Sequence, residues 1–94
     1  MVEKKLNVAG IDSVQLLGFN DVHLQLIEDR FDATIAVRGD QITLRGSQAE
    51  VGKVEKIFKE LMYILNKNGN LTPNDVETVI DLVSVNGSTP EVPL

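Results

Sequence analysis

Thr34-Ile35-Ala36-Val37-Arg38-Gly39-Asp40-Gln41-Ile42-Thr43-Leu44-Arg45 is the stretch that decides the fold. Two runs in it alternate apolar and polar side chains, the period of a half-buried strand. Between them stands Gly39-Asp40, a two-residue connection in which glycine accepts the positive φ that tight hairpin turns require. The reading is an antiparallel hairpin, with Ile35, Val37, Ile42 and Leu44 facing a core. Arg38 and Arg45 then project together from the opposite face, because successive strand side chains point to opposite sides.

Downstream of the hairpin, Ser47-Gln48-Ala49-Glu50 has the form of a capping box. In such a box the Ser hydroxyl caps a helix and the Glu three residues on reaches back to it. Val51, Val54, Ile57, Phe58, Leu61 and Leu65 follow at helical spacing, and Glu55 and Lys59 are placed for an i,i+4 ion pair on the other face. Asn66-Lys67-Asn68-Gly69 stops this helix. Thr72-Pro73-Asn74-Asp75 starts another, with Thr as cap and Pro at the first helical position. Val76, Val79, Ile80 and Val83 form its apolar stripe.

Upstream, Lys4-Lys5-Leu6-Asn7-Val8 alternates and reads as a strand. Asp12-Ser13 caps a short helix through Val14, Leu16 and Leu17. Asn20 or Asp21 caps a second helix over about 22–30, whose stripe is Leu24, Ile27 and Phe31 at i, i+3 and i+7, widened by Leu26. The order is β-α-α-β-β-α-α. It predicts an α+β domain, a small three-stranded sheet covered on one face by helices. Leu6, Val8, Leu17, Leu24 and Ile27 join the hairpin residues and Val54, Ile57, Phe58, Leu61 and Leu65 of the third helix in the expected core. From Ser84 onward the residues are small and polar with two prolines, so 3–83 reads as the domain and 84–94 as a flexible tail or interdomain linker.

Composition narrows the function. Ninety-four residues suit one small domain. There is no cysteine and one histidine, which removes disulfides, thiolate nucleophiles and multi-histidine metal sites. No apolar run approaches the ~20 residues of a membrane span and no signal-like h-region follows Met1. The expectation is a cytoplasmic chain without a membrane partner. The net charge of −5 argues against a dedicated nucleic-acid binder. The acidity is uneven, however: residues 68–94 hold four acids and no base, while the rest is nearly neutral.

The first six predicted elements follow the order of a KH domain, in which a G-x-x-G loop between the first two helices clamps the backbone of four nucleotides. Gly18-Phe19-Asn20-Asp21 occupies that place, with Asp21 where the loop's last glycine would stand. A narrower likeness runs through the chain. The segments Gly18–Glu28, Val37-Arg38-Gly39-Asp40 and Ile42-Thr43-Leu44-Arg45-Gly46 carry it, as does Glu60 through Leu65-Asn66-Lys67-Asn68-Gly69 to Leu71-Thr72-Pro73-Asn74-Asp75. Together they resemble the N-terminal region of PhoH-like proteins over about residues 3–83. The resemblance implies a cytosolic, phosphate-starvation-associated P-loop ATPase tied to RNA metabolism, with ATP and magnesium bound in a domain after this region. The look-alike Gly46…Gly52-Lys53-Val54 is not that phosphate loop. Its glycines are one residue too far apart, and it ends in Val where Ser or Thr must hold magnesium. On this reading the chain is a non-catalytic accessory domain with no cofactor of its own. Its partners would be its own ATPase domain, single-stranded RNA and other copies of the chain. The alternative is a protein–protein interaction module with no nucleic-acid role.

Candidate nucleic-acid-binding residues are Gly18, Phe19 and Asn20 in the loop and Lys4, Lys5, Arg38 and Arg45 on the sheet. Each also has a plainer reading. The loop is then a glycine turn and helix cap, with Asp21 repelling phosphate, and Phe19 folds back as a hydrophobic staple. The cations are then ordinary solvated charges on an open sheet face. His23, without a partner for acid–base work, reads as an exposed helix residue. Glu28, Asp29 and Asp32 lack the order of a calcium loop and read as solvated acids.

Overall fold

Gly39 adopts φ +54° and turns the chain where the alternation requires it. Around that turn, a computed structural model describes residues 1–86. The elements are β1 (Val2–Asn7), α1 (Ser13–Leu17), α2 (Val22–Arg30), β2 (Ala33–Arg38), β3 (Gln41–Gly46), α3 (Gln48–Asn68) and α4 (Pro73–Asn86). One tight turn, Phe19–Asp21, joins α1 to α2. The architecture is the expected α+β one.

The three strands are antiparallel in the order β1-β3-β2, so the second strand of the hairpin is central. The register sets Leu6, Ile42 and Val37 in one row across the sheet and Lys4, Leu44 and Ile35 in another. These rows face the helices. The alternate rows, Glu3-Arg45-Thr34, Lys5-Thr43-Ala36 and Asn7-Gln41-Arg38, form the open face. α3 crosses all three strands, α2 packs against β2, and α4 lies on α3 and α2. Leu44, Val54, Ile57, Phe58 and Leu61 have no exposed surface at the meeting of β3 and α3. Leu24 and Val37, expected in the core, are only half-buried at its margin.

The helix ends show why the chain turns where it does. Asp12 caps α1, accepting from the amides of Val14 and Gln15. Thr72 and Asp75 cap α4 reciprocally: the Asp75 amide donates to Thr72 Oγ1 (3.1 Å) and the Thr72 amide to Asp75 Oδ2 (3.2 Å). At α3 only half of the expected box forms. The Glu50 amide donates to Ser47 Oγ (3.2 Å), but Glu50 Oε1 accepts from the Asp32 amide (3.0 Å) instead of reaching back. That amide stands just before the edge strand β2, at an exposed junction, and the bond ties the start of β2 to the first turn of α3. α3 ends at Gly69, φ +83°, whose amide donates to Leu65 O.

α4 is longer than the sequence suggested. It includes 84–86, which the composition assigned to the tail. No Gly or Pro stands after Pro73 until Gly87, and Val83 is still fully buried, so the helix has no cause to stop earlier. The remainder of that tail, 87–94, lies outside the described residues.

The register makes opposite demands on adjacent positions. Leu44→Asp should abolish the cooperative thermal transition followed by circular dichroism, since it buries an unpaired charge. Thr43→Asp, one residue away on the open face, should keep the transition and cost about 1 kcal/mol of strand preference.

Candidate functional site

Two surfaces carry the residues singled out from the sequence. The first is the open face of the sheet. Its rows surround a shallow hollow of about 350 Å³ lined by Glu3, Lys5, Thr34, Arg38, Thr43 and Arg45, among others. Arg38 and Arg45 share this face, as the alternation requires, and Lys5 joins them. Lys4 does not. It shares a row with Leu44 and points to the helix side, where its Nζ lies 3.8 Å from Glu55 Oε1 of α3. The sequence grouped the two lysines because they are neighbours, whereas a strand sends neighbours to opposite faces. The same Glu55 also receives Lys59 at 3.5 Å, the expected i,i+4 pair.

One acid lies on the open face. Glu3 sits opposite Arg45 across the β1–β3 ladder, with Oε1 3.8 Å from Arg45 Nε. Both side chains are largely in water, so the pair contributes at most about 1 kcal/mol. Among the described residues, Lys5 and Arg38 form no ion pair. No aromatic side chain lines the hollow.

The second surface is the turn between α1 and α2. The Gly18 amide closes α1 on Val14 O (2.9 Å), and the Asp21 amide closes the turn on Gly18 O (3.0 Å). Asn20 and Asp21 both adopt left-handed backbone, φ 58° and 60°, a conformation that Asn and Asp tolerate better than other non-glycine residues. Neither caps α2 as the sequence suggested, because left-handed backbone at Asp21 turns its side chain away and no side-chain cap bond forms. The Asp21 and Val22 amides are spent inside the turn. Phe19 is no staple: 79% of it is exposed, beside Val14 at 63%.

His23 corrects a further expectation. It is 2% exposed, and its Nδ1–H donates to Leu16 O at 3.1 Å. α1 is only five residues long, and its last carbonyls have no partner within the helix. The imidazole supplies one. A signal for this was present: His23, Ile27 and Phe31 stand at i, i+4 and i+8, and all three are buried. Gly18 makes room for the ring. A Cβ there would come 2.7 Å from Val22 Cγ1 and 2.8 Å from His23 Cγ, at a φ of +86°.

No nucleophile–base arrangement appears on either surface. Among the described residues, no group of three His, Cys, Asp or Glu side chains could hold a metal ion. The phosphate-loop look-alike is structural: Ser47 alone separates β3 from α3, and Gly52 and Lys53 lie on α3 itself. Among the described residues, no helix is long and apolar enough to cross a membrane.

The chain is 36% identical over 78 residues to PhoH-like proteins of Mycobacterium bovis and of Mycobacterium tuberculosis. It is a relative of the PhoH-like proteins. The match covers 82% of this chain and 22% of each relative, so the chain spans about a fifth of the length of the curated relatives it matches. No family model matches it. No solved structure matches it either. The kinship therefore concerns about a fifth of each relative's length.

The geometry of the turn separates Gly18 from Phe19. Gly18→Ala should lower the unfolding free energy in urea by at least about 2 kcal/mol, through forced left-handed backbone and displacement of His23. Phe19→Ala should stay within about 0.5 kcal/mol of the parent, since its side chain is in water.

Proposed function

We propose that this chain is the non-catalytic N-terminal accessory domain of a PhoH-like cytoplasmic ATPase. ATP and magnesium are bound, and ATP is hydrolysed, in the domain that follows it. The observation that carries this reading is the kinship over 82% of the chain and only 22% of its relatives. The β-α-α-β-β-α order followed by one extra helix supports a KH-like fold, and with it a role in engaging RNA for a phosphate-starvation-associated enzyme. Copies of the domain would also sit side by side if the ATPase assembles.

A second reading rests on one observation. Phe19 and Val14 expose apolar surface around a shallow groove lined also by Leu17 and Asp21. That surface suits a protein partner, such as the ATPase domain itself.

The native reading frame tests the first reading directly. It should continue past residue 94 into a G-x-x-x-x-G-K-[ST] loop after a strand, and the isolated 94-residue chain should hydrolyse no ATP above background. A frame without that loop removes the proposal.

A further inference from the structure

We propose that the open face of the sheet holds the phosphodiester backbone of single-stranded RNA without reading its bases, and that the α1–α2 turn does not take part. The inference deepens the RNA reading given above and rests on it.

The cations form a zigzag across the three strands. Arg45 lies in the first open-face row on the central strand, Lys5 in the second row on β1, and Arg38 in the third row on β2. Alternate residues on a strand are about 7 Å apart and neighbouring strands about 5 Å, so the three charges span about 14 Å along the strands. That length matches a few nucleotides of a single strand. It falls far short of the ~16 base pairs over which double-stranded RNA is recognised by shape. Thr43 lies between the cations, Thr34 beside Arg45 and Gln41 beside Arg38, and these side chains offer hydrogen bonds to phosphate oxygens.

Base recognition needs something this face lacks. Single-strand readers stack bases on aromatic rings. The chain has four aromatic residues. Phe31 and Phe58 are buried, Phe19 is at the turn, and Tyr63 is on α3 beneath Lys67. The open face can therefore attract phosphate and little else. The turn, where the KH pattern would place the backbone clamp, has spent the amides of Asp21 and Val22 internally and presents the Asp21 carboxylate.

Glu3 sharpens the test, because it competes with phosphate for Arg45. Removing it should tighten binding, whereas removing any of the three cations should weaken it. Lys4 and Lys5 are adjacent in sequence but on opposite faces, so only Lys5 should matter.

The experiment is fluorescence anisotropy of the 94-residue chain with a labelled decauridylate and with an abasic phosphodiester decamer. Salt is varied between about 50 and 200 mM. The two oligomers should bind alike within about twofold. Each phosphate contact on a single strand contributes about −0.7 to the slope of log K against log salt, so three contacts give about −2, a loss of roughly twentyfold over that range. Lys5→Ala, Arg38→Ala and Arg45→Ala should each reduce the slope to about −1.4. Glu3→Gln should tighten binding, while Lys4→Ala and Phe19→Ala should leave it unchanged near 150 mM, where charges beyond about 8 Å are screened. The Arg38, Lys5, Glu3 and Phe19 side chains are exposed, and thermal transitions matching the parent would show that each variant is folded.

Binding of decauridylate but not of the abasic decamer, or loss of binding in Phe19→Ala with the arginine variants unaffected, overturns this inference and leaves the RNA reading standing through the turn. Absence of binding by both oligomers at about 50 mM salt overturns both together. If the arginine variants instead change the sedimentation of the free chain, the face is a contact between copies, and the inference falls.

Discussion

The strand β3 sets both faces of the domain at once. Its two neighbours hydrogen-bond to it and not to each other. Its alternation drives Ile42 and Leu44 into α3 and leaves Gln41, Thr43 and Arg45 in water. Burying a leucine side chain is worth about 1.5–3 kcal/mol, so a register that exposed both apolar residues would cost several kcal/mol out of a total stability of only 5–15. The cationic face is thus not maintained by interactions among its own charges. It is the obligatory reverse of the core, and Arg45 is fixed in place by what Leu44 does on the other side.

The α1–α2 turn is held by a different economy of contacts. A five-residue helix cannot satisfy its own last carbonyls, and isolated helices this short do not persist in water. Leu16 and Leu17 anchor α1 by burial, and His23 from the next helix completes one of its carbonyls. Gly18 is required because the imidazole lies where a Cβ would be. The adjacent left-handed residues Asn20 and Asp21 follow from the same closure, since the chain must reverse within three residues to bring His23 back onto α1. Strained backbone often marks a functional site. Here the local hydrogen bonds account for it.

Local chemistry made much of this structure legible in the sequence. The hairpin, the Asp12 and Thr72 caps, the Gly69 stop and the Glu55–Lys59 pair each depend on residues a few positions apart, and each forms. What sequence reading missed depended on contacts between elements. Glu50 abandons its local partner for an amide eighteen positions away. His23 looked solvent-facing because polarity outweighed its place on the Ile27–Phe31 stripe. Lys4 and Lys5 were grouped by adjacency although strand geometry parts them. The fate of the acidic fourth helix was not legible at all. It packs inside the domain through Val76, Val79, Ile80 and Val83, with Arg30 Nη2 reaching Asp81 at 3.1 Å from α2.

That placement changes what the net charge of −5 means. α4 carries Asp75, Glu77 and Asp81 and no base. It rests on α3 and α2, and these in turn rest on the inner face of the sheet. Packed helices are 8–10 Å apart and helices stand about 10 Å from a sheet, so the acids of α4 lie more than one screening length from the open face at physiological salt. On that face only Glu3 opposes Lys5, Arg38 and Arg45. An arriving polyanion meets this local excess of positive charge at close range and the chain's net negative charge only from afar. Whole-chain charge therefore governs slow approach and solubility, while the faces decide what is held. The helix layer does for electrostatics what β3 does for hydrophobicity: it keeps two opposite surfaces apart within one small domain.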